Sequence, residues 1–495
     1  MARKAKEILC QVAMWLFLIP PLAGFAQTIN PIQNSDDLLQ ALIAVPTGDQ
    51  QNAFRLLDQH RGLVGGVLCT RLMGEAEKAR SAKDHSRALF LLQVSEAAAE
   101  KSSNLYLRAS AVHQTAKLYH EIRQPQKAIE AYQRCIGLCL EPDPQLLDNR
   151  SNFKQLFARA LYGRGRVEFE TSDYQNAVES YTRSLKAFEQ IDSKLDCIFI
   201  LNDLGALYIN TGDYKTAKEV SERSLSLAAS LFKGNETFSL SKYSKAIAWS
   251  NLGYISSWEG DYRSAVDYLQ RSLTLFEEMV AARQPYLTAV ADRLTDLGQV
   301  YHALGNYTKA LNYYHRALKT IEAPDHPDTR RRVLTSLGIL YMDQGDYPKA
   351  NEFLDQSLKL ASQLDNKTAV ATALSNIGVN NQRQGKYEKA FKSFEEALKI
   401  AETIKAASLI IPSLEGLGTI SQAQGNYDSA LVYFDRGLAA SRELGDKNRE
   451  AELLWRKADV FMLRRITGRR SSFLKGRWCS LANSVSPISL IWRWC

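Results

Sequence analysis

One phrase returns along this chain at a nearly fixed interval, and its register limits the fold more than any overall property. It reads most cleanly as Leu337-Gly338, Tyr341, Gly345-Asp346-Tyr347, Ala350, Leu354 and Leu358. Counting from its first glycine, the equivalent positions are Ala76, Ala116, Gly165, Gly205, Gly253, Gly298, Gly338, Gly378, Gly418 and Ala458, separated by 40, 49, 40, 48, 45, 40, 40, 40 and 40 residues. Self-similarity at such a period is the mark of a repeat architecture, in which each unit buries its apolar face only against its neighbours.

The chemistry of each position follows from a helix pair. Glycine inside a helix costs about 0.5–1 kcal/mol relative to alanine, so a recurring helical glycine implies close approach of a second element. Twelve residues on stands a recurring alanine, such as Ala310, Ala350, Ala390 and Ala430, expected to face it. Nineteen residues on the side chain is again small, as at Ser184, Ser272 and Ser357, where the next unit should stack. Seven residues on, Gly212, Gly260, Gly305, Gly345, Gly385 and Gly425 stand where a left-handed residue ends the first helix. The Asp or Asn that follows (Asp213, Asp261, Asn306, Asp346, Asn426) is expected to cap the second. Pro348 fits a helix's first turn, where no amide partner is lost.

This order of small, aromatic, glycine, aromatic and alanine positions resembles the tetratricopeptide repeat over about residues 70 to 461. The spacing of 40 departs from the commoner 34 and is similar to the longer-helix subclass found in the arms of bacterial CHAT-domain proteins. The resemblance implies an all-α fold, a right-handed α-solenoid of about nine helix pairs plus a truncated tenth. The expected organisation is a signal peptide at 1–26, a helical cap at 27–68, the solenoid at 69–465, and an irregular, basic, Trp-rich tail at 466–495.

The formal net charge of +8 sits at the two ends. Residues 1–26 carry +2 and residues 460–495 carry +7, which leaves −1 for the body. A near-neutral body argues against a nucleic-acid footprint, which needs a basic face. Met1 to Ala26 joins a basic start to an apolar run from Ile8 to Leu18, the breaker Pro20-Pro21, and Gly24 and Ala26 before Gln27, as in a secretory leader cut after Ala26. An exported protein, periplasmic or secreted from a bacterium-like cell, is expected, and no later apolar run is long enough to cross a membrane. The last unit keeps register through Leu454, Trp455, Ala458 and Phe461, but Arg465 stands where the turn glycine is due. The acid-free tail beyond it reads as a frameshift or truncation product, or else as a weak membrane-surface contact.

No catalytic constellation emerges. His120-Glu121 lacks the second histidine of a metalloprotease helix, since Gln124 holds that place. Gly163-Arg164-Gly165-Arg166 lacks the phosphate-loop pattern and reads as a degenerate repeat glycine. His113 and His120 share a helix face as surface or seam residues, and Cys135 and Cys139 read as small core residues. No enzyme activity, cofactor or metal is expected. The 34 residues after Phe461 are too few for the peptidase domain that a CHAT resemblance would add.

A groove for a protein or peptide partner is the remaining expectation. With 100° per residue, the offsets −3, +1, +4 and +5 lie on one flank of the first helix, away from the second. They nominate Asn202, Tyr254, Trp258, Gln299, His302, Ile339, Met342, Gln382, Arg383 and Gln422 as partner-binding residues. The leading reading is a non-catalytic interaction scaffold, and the alternative is the recognition arm of a truncated CHAT-type peptidase.

Overall fold

The structure, a computed structural model, describes residues 32–140, 150–234, 239–282, 285–321 and 326–484, with 150 and 466–484 described by backbone alone. The leader and the last residues of the tail lie outside these. Every regular element among the described residues is a helix, and the chain divides into two compact units, residues 1–234 and 235–495.

The first unit opens with α1 (Ser35–Ala44), α2 (Gln50–Gln59) and a 3-10 turn (Arg61–Leu63). Four pairs follow: α3 (Gly66–Ser81) with α4 (His85–Lys101), α5 (Leu105–Glu121) with α6 (Pro125–Leu140), α7 (Arg150–Glu170) with α8 (Tyr174–Glu189), and α9 (Lys194–Thr211) with α10 (Tyr214–Leu231). Leu38, Leu39, Leu42 and Leu57 are buried in one core with α3 and α4, so the atypical opening helices close this end of the stack.

The second unit holds five pairs and one further helix. These are α11 (Ser239–Trp258) with α12 (Tyr262–Ala281), α13 (Leu287–Ala303) with α14 (Tyr307–Thr320), α15 (Pro327–Asp343) with α16 (Tyr347–Gln363), α17 (Lys367–Arg383) with α18 (Tyr387–Thr403), α19 (Ala407–Ala423) with α20 (Tyr427–Leu444), and α21 (Lys447–Ser484). The four pairs of the first unit and the five of the second, with the lone α21, are the all-α succession of helix pairs that the resemblance implied.

The turn within each pair has one geometry. The residue seven after the repeat position is left-handed in all nine pairs: Gly345 has φ +79°, and Lys83, Arg123 and Ser172 take +61°, +56° and +63° without glycine's freedom. Nothing lies within 4 Å of a Cβ added to Gly345, so the dihedral alone favours glycine there. The following side chain caps the second helix as expected at Asp213, Asp261, Asn306 and Asp346, each accepting from the backbone N–H three residues on at 3.1–3.3 Å. Asn426 makes no side-chain cap bond, contrary to expectation.

The recurring helical glycine meets a side chain rather than the alanine itself. A Cβ on Gly298 would lie 2.4 Å from the ring of Tyr314, and one on Gly338 would lie 2.6 Å from Leu354 and 3.3 Å from the carbonyl oxygen of Ala350. The large residue sixteen places on therefore lies flat over the glycine, while Ala350 brings its backbone close. Gly298→Ala is expected to lower stability by about 1–3 kcal/mol, the usual cost of overpacking, despite a better helix propensity. Thermal unfolding of that variant checks the sign, because an exposed helical glycine would give the opposite one.

The small residue nineteen places on has two contacts. Ser184 Oγ donates to the Ala158 carbonyl and Ser272 Oγ to the Ala246 carbonyl, both at 2.7 Å, which ties the second helix to the first of its own pair. A Cβ on Gly437 would lie 3.2 Å from Leu453, so this position also meets the next unit. The segment read as an irregular tail is helical in backbone as far as Ser484. No proline falls within α21, so its backbone hydrogen-bond ladder is not interrupted by a missing N–H.

Candidate functional site

In the second unit the flank of the first helices presents a short aromatic surface followed by polar rungs. On α11, Tyr254 and Trp258 are 39% and 62% exposed, and their rings lie 6.3 Å apart at 48°. They are one helical turn apart, so both project from the same face. On α13, Gln299 is exposed and its Nε2 donates to Ser336 Oγ at 3.4 Å. His302 Nε2 lies 3.0 Å from Asp343 Oδ2, and Arg383 Nη1 donates to Asp343 Oδ1 at 2.6 Å. Asp343 thus joins α13, α15 and α17 through its two carboxylate oxygens. Further on, Gln422 Nε2 donates to the Asp459 carboxylate.

These ties are solvent-accessible, with Arg383 44% and Asp343 31% exposed at the side chain. Exposed pairs of this kind contribute about 0–1 kcal/mol each, so an incoming polar group can replace them at small cost. Ile339, Gln382 and Gln422 are half-buried beside them. The surface has an aromatic anchor at one end and displaceable hydrogen-bonding groups along its length, a composition suited to holding protein.

Two of the nominated residues do not belong to it. Asn202, 3% exposed, accepts from Ser224 Oγ at 2.7 Å, and Met342 is 5% exposed. Each first helix is flanked by its own second helix and by the neighbouring units, so the open arc is narrower than a single-helix wheel suggests. Offset −3 is buried again at Thr295, 2% exposed, and in Thr335 its hydroxyl lies 2.7 Å from Ser357 Oγ. Offset +5 is exposed throughout the second unit, whereas +1 and +4 are mostly half-buried.

The first unit holds a feature that the sequence did not disclose. Two adjoining cavities of about 500 and 420 Å³ open on α3, α5 and α7, sharing His113, Lys117 and Arg159 in their walls. Burial, reinforced by the charges of Lys117 and Arg159, pushes the His113 imidazole down to about 4, so it is neutral at pH 7. His120 is taken up by Glu170 at 2.8 Å, which joins α5 to α7. Tyr162 donates to Asp203 Oδ2 at 2.8 Å; burial raises the Asp203 carboxyl from its ordinary value, opposed by that bond and by Arg166. No group of three or more metal-ligating side chains occurs among the described residues, and no described helix is long and apolar enough to cross a membrane.

Comparisons with known proteins bear on this architecture. A family model described as tetratricopeptide repeat matches residues 156–230, 244–319 and 329–403, and a second of the same description matches 109–141. Together these segments make up just over half of the chain. Among solved structures, the apo form of RapI is similar with a TM-score of 0.52 at 14% identity, covering 77% of this chain and 99% of that one. A Rap protein complexed with competence and sporulation factor gives 0.52 at 14%, covering 76% and 98%. A Signal Transduction ATPase with Numerous Domains from Pyrococcus horikoshii, with a tetratricopeptide repeat sensor, gives 0.51 at 16%, covering 86% of this chain and 65% of that protein. At such identities the likeness is one of fold. No curated protein matches the sequence.

Proposed function

The chain belongs to the tetratricopeptide-repeat family, and from that premise we propose that it is a non-catalytic scaffold holding an extended peptide or partner helix against the first helices of its second unit. The observation that carries the reading is the exposed Tyr254–Trp258 pair continued by the Gln299, Asp343 and Arg383 groups. Exposed aromatic side chains with an adjacent polar rim supply most of the binding free energy in protein interfaces. The Rap protein with a similar fold is described in complex with competence and sporulation factor, which supports a partner of peptide character here.

Export with cleavage after Ala26 is part of the proposal, and the N-terminal sequence of the mature protein would check it. The second reading, an arm that has lost a CHAT-type peptidase domain, draws support from the register broken after Phe461. Downstream DNA coding for a Cys/His catalytic domain would favour it.

The double variant Tyr254→Ala, Trp258→Ala is expected to weaken partner capture by about tenfold or more. Its thermal midpoint should stay near the wild-type value, because both side chains are exposed. Undiminished capture would remove the aromatic pair from the site.

A further inference from the structure

The outer face of α21 is the one place in the second unit where the repeat pattern is present and uncovered among the described residues. Its inner face docks normally: Leu453 and Val460 are fully buried in a core with Ala430, Phe434 and Leu438. On the outer face Leu454 is 46%, Trp455 67%, Phe461 53% and Met462 62% exposed, and Ala458, the repeat position itself, is exposed as well. The counterparts of Leu454 in the two preceding units, Leu374 and Leu414, are 7% and 1% exposed.

The preceding pairs show what covers such a face. In each, a second helix brings an alanine against the repeat position and a large apolar side chain four residues later, as Ala390 with Phe394 and Ala430 with Phe434. Helix α21 carries that pattern too, in Ala458 and Met462. It therefore has the features of a first helix and of a second helix on one face.

We propose that this face is the interface between two copies of the chain, their α21 helices packed antiparallel about Ala458. Residues equidistant from Ala458 then oppose each other: Trp455 meets the partner's Phe461, and Leu454 meets the partner's Met462. Such a patch is self-complementary under a two-fold axis, as an isologous interface requires. The small Ala458 on both sides permits the close approach that glycine and alanine provide in the internal pairs. Of the flanking cations, Arg456, Lys457 and Arg464 are already paired with Glu415, Asp435 and Asp428 of their own chain, and the exposed Arg465 falls opposite the partner's Ala451 rather than another cation. The inference concerns a different face from the proposed groove and does not depend on that reading.

Sedimentation velocity of the full chain over about 1–100 µM tests it, a range in which a small interface associates reversibly. A monomer–dimer equilibrium is expected, with Trp455→Glu raising its dissociation constant by about tenfold or more. Val432→Glu, at an exposed site on α20, should dimerise as the wild type does. Both sites are exposed, so matching thermal midpoints show that folding is intact. A wild type that stays monomeric over the whole range overturns the proposal, including the case in which residues 485–495 cover the face. A dimer indifferent to Trp455→Glu, or one equally weakened by Val432→Glu, overturns it too.

Discussion

Phe394→Ala is expected to cost about 3–5 kcal/mol, the range for removing a buried aromatic side chain. The ring is 1% exposed and lies between two glycines of different units. A Cβ on Gly378 would come within 2.9 Å of it, and one on Gly416 within 2.5 Å. Its loss opens a cavity on both sides of the seam and loosens α17, α18 and α19 together. A repeat array need not unfold in one step, so local amide exchange is the better readout than a single midpoint. Protection should fall in those three helices. Gly416→Ala gives a sharper check: alone it overpacks and destabilises, but in the Phe394→Ala background its methyl fills part of the void and stabilises. An unchanged sign would show that the ring does not set the approach of the two units.

Arg164→Leu should be of similar size, about 3–5 kcal/mol, because it strands a buried charge. Glu168 is 2% exposed; its Oε1 accepts from Arg164 Nε and its Oε2 from Ser180 Oγ, both at 2.6 Å. Without the guanidinium the carboxylate keeps one neutral donor in a site closed to water. Replacing both residues, Arg164→Leu with Glu168→Leu, should recover most of the loss, since no charge then remains to be desolvated. A double variant no better than the single one would mean that packing, not charge, governs the site.

The sequence disclosed what depends on a residue's own conformational chemistry. The turn at Gly345 and the caps at Asp213, Asp261, Asn306 and Asp346 needed only local rules. What depends on neighbours in space stayed hidden. The Gly163-Arg164-Gly165-Arg166 run gave no sign that Arg164 neutralises a buried acid, though the four-residue spacing to Glu168 was in plain view. Asn202 and Met342 fall on the expected flank and are nonetheless buried, because a helical wheel takes no account of the helices on either side. The cavities around His113 arise where three first helices meet, which no periodicity reports. The uncovered face of α21 was half legible, since register located the break after Phe461 while exposure came from the structure.

The central claim, that a partner lies along the first helices of the second unit, is tested most directly by site-specific photocrosslinking in the cell that makes the protein. A photoreactive residue replaces Trp258 in one variant and Val432, 58% exposed on a second helix, in another. The expected result is a discrete adduct from position 258 that is absent from position 432. Adducts of equal yield and identity from both positions, or none from 258, would contradict the account.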